Sequence, residues 1–113
     1  TDPTWTTKDP YLHAEQLRGT TLYISTGNGT PGPYDTLDSA GIDGDLGKLL
    51  DRFGVGGGVE AVTNICVESL RRRFDELGIP ATFDMRPVGT HSWQYWQDDL
   101  HNSWPIFEQA LTR

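Results

Sequence analysis

The sequence predicts an α/β protein with parallel strands joined by crossover helices, and three observations carry that prediction. Two short runs rich in β-branched and aromatic residues, "TTLYIST" at 20–26 and "ATFDMR" at 81–86, read as strands. Two helical patterns, at 44–53 and 59–77, lie between them where a hairpin turn would otherwise be. A third helical pattern follows the second strand over 92–111. Strands separated by helices of this length run parallel, with right-handed connections. The chain has 113 residues, which makes one domain of 1–113.

Each element has a local reason. Asp2-Pro3 and Asp9-Pro10 mark turns in residues 1–19, with a short helical turn possible around Leu12–Leu17. The apolar density of 20–26 suggests a strand covered on both faces. "GNGTPGPYD" at 27–35 packs three glycines and two prolines into nine positions and must be a loop. Leu46, Leu49, Leu50 and Phe53 recur at helical spacing, and Gly54 is expected to close that helix. The long helix presents Val59, Val62, Cys66, Leu70, Phe74 and Leu77 on one face. Gly78 is placed for a left-handed cap, Ile79 for its apolar contact, and Pro80 blocks continuation. Cys66, the one cysteine, reads as a small buried apolar residue and allows no internal disulfide. Pro105 is expected to break the last helix, with a restart near Ile106.

Composition removes several functions. Net charge is −7, and the one basic cluster, Arg71–Arg73, is flanked by Glu68, Asp75 and Glu76. Nucleic acids and anionic membranes both require clustered Lys and Arg, so neither is expected as a partner. No apolar run approaches the length of a membrane span, and no signal peptide is legible. His13, His91 and His101 have no usual ligand spacing, so neither a metal nor a cofactor is expected. Leu, Ile, Val and Phe together number 25, a thin supply for a self-sufficient core. The chain also opens on Thr1 rather than Met, so a processed or excised segment is expected.

Topology then brings two distant residues together. In an open parallel sheet, the loops at the carboxyl ends of the strands form the binding edge. "GNGTP" leaves one strand there and "GTHSW" leaves the other. The crossover helix runs antiparallel to the strands, so its first turn, with Glu60, lies on the same edge as His91. A carboxylate on a histidine ring N–H fixes the tautomer and stabilises the imidazolium, which makes that histidine a general base for a hydroxyl. Each residue also has a plainer reading: Glu60 as a helix-dipole residue, His91 as a surface or capping residue, Trp93 and Trp96 as core. The α/β-hydrolase chain order is nucleophile, acid, histidine. Of the five serines, Ser25, Ser39, Ser69, Ser92 and Ser103, none stands in a G-x-S-x-G turn.

"LYISTGNGTP", followed some fifty residues later by "TFDMRPVGTHSWQYWQDDL", resembles the C-terminal third of the antigen 85 mycolyltransferases and their esterase relatives. The resemblance implies the C-terminal portion of an α/β-hydrolase fold, lacking the nucleophile-bearing N-terminal part. It implies His91 as the catalytic histidine, Glu60 as the catalytic acid, and Trp93 with its neighbour Ser92 beside a sugar. It further implies a serine acyltransferase or esterase that moves mycolyl-type acyl groups to and from trehalose, exported to the actinobacterial cell envelope. A non-catalytic carbohydrate-binding or interaction domain is the alternative. An unpaired sheet edge is expected to drive homo-oligomer formation.

Overall fold

The computed structural model describes residues 2–113. Two four-residue strands, β1 (Tyr23–Thr26) and β2 (Thr82–Met85), pair in parallel. Tyr23 stands opposite Thr82, and Thr26 opposite Met85. Between them run α2 (Leu46–Asp51) and α3 (Gly57–Leu77); α1 (Pro3–Lys8) precedes β1 and α4 (Trp93–Leu111) follows β2.

Side-chain alternation along β1 decides which helix covers which face. Ser25 turns its hydroxyl to Asp99 of α4. Ile24 packs against the cluster of Ala14, Phe74 and Ile79, and Thr26 reaches Glu60 of α3. The sheet is thus one layer between two helices. The core centres on Ala14, Phe74 and Ile79, with Leu22, Leu70 and Phe83 against it. It lies toward the strands' amino ends and leaves the carboxyl ends to polar groups. Gly78, at φ +65°, caps α3 while the Ile79 N–H bonds the Phe74 carbonyl, as the Gly-Ile-Pro pattern requires.

Four expectations need correction. Asp2-Pro3 opens a helix, not a turn: the Asp2 carboxylate accepts from Thr4 N–H at 2.8 Å, and Pro3 takes the first helical position, where its missing N–H costs nothing. Gly54 does not end its helix. The chain continues through a π turn, Arg52–Gly56, directly into α3. Pro105 does not break α4, which runs unbroken through it. The carbonyl that Pro105 cannot serve belongs to His101, and both residues face water. Cys66 is exposed, as are Val62 (63%) and Ile65 (69%). A 21-residue helix is about 31 Å long, and two four-residue strands cannot cover its apolar stripe.

That shortage sets the shape. The radius of gyration is 16.4 Å, with extents of 46 × 42 × 22 Å, whereas a compact chain of this length would have about 13 Å. The molecule is a slab with apolar helix faces turned outward.

Candidate active site

Residues from four segments meet at the carboxyl ends of the strands. Glu60 is 2% exposed, although it carries a carboxylate. A buried charge is tolerated only when its oxygens are bonded. Oε1 accepts from the Gly27 N–H at 2.5 Å and the Thr26 hydroxyl at 3.3 Å, with Arg86 Nη2 at 3.4 Å. Oε2 stands 2.8 Å from Nδ1 of His91, 31 positions later in the chain. Because the π turn leads straight into α3, Glu60 has no free helix N-terminus to serve. Its partners are the β1 end, Arg86 and the imidazole.

With Nδ1 donating to the carboxylate, the lone pair of His91 falls on Nε2. Nε2 makes no hydrogen bond among the described residues. The His91 ring packs edge-on against Trp96, centroids 4.6 Å apart, and Trp96 packs edge-on against Trp93 at 4.9 Å. Trp93 itself is 79% exposed. Trp93 therefore does not fill the core: with Arg52, Val59 and His91 it lines an open cleft of about 670 Å³, while the half-buried Trp96 backs the His91 ring. Ser92 also borders that cleft, and its buried hydroxyl has no partner among the described residues.

The loops holding the histidine are tied at many points. The Gly56 carbonyl of the π turn accepts from His91 N–H at 3.2 Å. The Asn28 amide donates to the Pro87 carbonyl, and Gly29 and Gly89 N–H groups bond across the two loops. Asp35 accepts from the Thr90 hydroxyl at 2.6 Å, the Tyr95 hydroxyl at 2.6 Å and the Gly32 N–H at 2.8 Å. It thereby binds the residue before His91 to α4 and to the loop after β1. Burial, then this bond to Asp35, pushes the Tyr95 hydroxyl up to about 12.

Sequence reasoning placed Glu60, His91, Ser92 and Trp93 on one edge, and the structure brings all four to the same rim. It missed Asp35, Arg86, Asp99 and the contact of Trp96 with His91. Arg86 binds Asp99 through Nη1 and lies 5.4 Å above the Tyr95 ring. The available signal was a charged residue, Asp99, one turn beyond Tyr95 on the inward face of α4.

A buried carboxylate presenting a histidine at the carboxyl edge of parallel strands, with helices on both faces, is the arrangement by which α/β-hydrolases carry an acid and base. Comparison with known proteins points the same way. The chain is similar to the diacylglycerol acyltransferase/mycolyltransferase Ag85B of Mycobacterium avium, at 30% identity over 119 aligned positions. Ag85B of Mycobacterium leprae is 29% identical, and Ag85A of Mycobacterium tuberculosis 28%. Each alignment covers 97% of this chain, so the resemblance carried by two motifs extends over nearly all of it. The chain spans about 30% of the length of these relatives. No family model matches the chain.

Proposed function

We propose that these residues supply the acid and the base of a serine-dependent acyl transfer site of the mycolyltransferase type. Glu60 is the acid, His91 the base, and the nucleophilic serine belongs to a segment outside these 113 residues. The substrate is a long-chain acyl ester of trehalose or a related sugar, met at the cell envelope. The observation carrying this reading is the 2.8 Å contact of a buried Glu60 with Nδ1 of His91, which leaves Nε2 open to the cleft.

The chemistry follows from that geometry. Nε2 takes the serine hydroxyl proton as the oxygen attacks the ester carbonyl, and the imidazolium formed is stabilised by Glu60. The same proton passes to the departing sugar oxygen. In the second half, Nε2 takes a proton from an incoming sugar hydroxyl, which attacks the acyl-serine, and the imidazolium returns that proton to the departing serine oxygen. Water in place of the sugar gives hydrolysis. Trp93 offers the exposed ring face on which a sugar's C–H face stacks, and Ser92 borders the same cleft with its hydroxyl buried.

The test is acyl transfer and aryl-ester hydrolysis by the full-length protein. Activity that survives His91→Ala, or no activity at all in the folded full-length protein, sinks the proposal. A purely sugar-binding role would instead leave trehalose binding intact in Glu60→Gln with no turnover in the parent.

A further inference from the structure

Glu60 uses its second oxygen in an unusual setting. Arg86 follows the last paired residue of β2, and its N–H bonds the Thr26 carbonyl at 2.8 Å. By alternation its side chain belongs to the α4 face, where Asp99 binds it. Because the sheet ends one residue earlier, the guanidinium also reaches round that end to Glu60 of α3. Its side chain is 15% exposed, and those of Asp99 and Glu60 are 9% and 3%. Ser25 of β1 donates to Asp99 at 2.8 Å. The row of charges is therefore His91, Glu60, Arg86, Asp99, with one cation shared between two buried carboxylates.

Charge counting says what the row does. A full cation on Glu60 would compete with the imidazolium for the same carboxylate. Asp99 binds Arg86 with both carboxylate oxygens, whereas Glu60 meets it at 3.4 Å with one. Arg86 thus spends most of its charge on Asp99. We propose that Arg86 and Asp99 act on the Glu60–His91 pair through charge: Arg86 draws on the Glu60 carboxylate at Oε1, and Asp99 balances Arg86 so that the Glu60 charge stays available to His91. This rests on the reading of Glu60 and His91 as acid and base.

The pair predicts shifts of opposite sign. The charged groups around the imidazole are Glu60 from α3, Asp51 and Arg52 along the cleft, Arg86 beyond β2, and Asp99 from α4. Arg86→Gln removes the cation between two carboxylates, so the imidazolium gains and the His91 midpoint rises. Asp99→Asn leaves Arg86 unbalanced against Glu60, so the midpoint falls. Each shift is expected at roughly half to one pH unit. Arg86→Lys, which keeps the charge, stays within a few tenths of the parent.

The measurement is histidine NMR titration of the full-length protein, with His91 assigned from the His91→Gln spectrum. A merely structural pair would move both variants the same way, toward a free histidine, as the site loosens. Midpoints moving in the same direction, or not moving, overturn the proposal. Activity of the parent and of His91→Ala is read separately. Opposite shifts without any activity leave the charge coupling intact and end the acyl-transfer reading. Activity lost in His91→Ala without opposite shifts does the reverse.

Discussion

Gly29 and Gly57 meet backbone to backbone. A Cβ on Gly29 would stand 2.2 Å from the Gly57 carbonyl oxygen, and a Cβ on Gly57 2.6 Å from that of Gly29. Gly29 belongs to the loop leaving β1 and Gly57 opens α3, so this contact sets how far the helix carrying Glu60 stands from the sheet edge. Gly29 also has φ +88°. Gly29→Ala is therefore expected to cost about 2–3 kcal/mol and to loosen the Glu60–His91 contact. Gly19, at φ +85°, is the control, because a Cβ added there would meet nothing within 4 Å. Gly19→Ala should cost about 1 kcal/mol from backbone strain alone. Thermal melts of the two variants check the difference.

Replacing Glu60 with Gln keeps the shape and removes the charge. An amide can present its oxygen or its NH₂ to Nδ1, so the ring's tautomer is no longer assured. Turnover by the full-length protein is expected to fall roughly a thousand- to ten-thousand-fold, mostly in kcat. Steady-state kinetics with an aryl ester reads it, and a loss confined to KM would contradict the assigned role.

The alkaline limb of stability should report Tyr95. Its folded value, about 12, lies above the ordinary value of 10.0. The unfolded chain therefore releases this proton first, at lower pH. The contribution is present in full below about pH 10 and is lost as pH rises toward 12. Tyr23 is raised as well, by burial and then by its bond to Asp84, and acts in the same sense. Tyr95→Phe should show a shallower fall in melting temperature above pH 10. An unchanged slope would remove Tyr95 from the account.

The 113 residues alone should turn over no ester at enzyme-like rates, because none of the five serines stands in a G-x-S-x-G turn and the hydroxyl of Ser92, beside His91, is buried. They should also self-associate. Both strands are edge strands, and Val62 and Ile65 of α3 face outward. Sedimentation should give a dimer or larger species, and Val62→Lys with Ile65→Lys should shift it toward monomer with helix content unchanged. A single monomer in sedimentation of the unsubstituted 113 residues would refute this.

The elements were legible because each is governed by neighbours in sequence. The period of Leu70, Phe74 and Leu77 makes a helix, and Gly78 with Pro80 ends it whatever packs nearby. Parallel topology then followed from connection length, and with it the meeting of Glu60 and His91 on one rim. Local rules fail where they permit two outcomes. Asp-Pro serves a turn and a helix start equally well, and a glycine such as Gly54 can sit inside a π turn.

What the chain determined by itself is thus the order of elements and the rim on which the acid and the histidine stand. Tertiary structure alone decided which groups hold Glu60, because that depends on where β2 stops relative to α3 and α4. Arg86 lies one residue past the last strand pair, which lets a side chain from one face of the sheet touch a carboxylate on the other. Periodicity carries no record of such contacts. They arise from distances between segments far apart in sequence, and burial then makes them matter by removing the water that would otherwise solvate each charge.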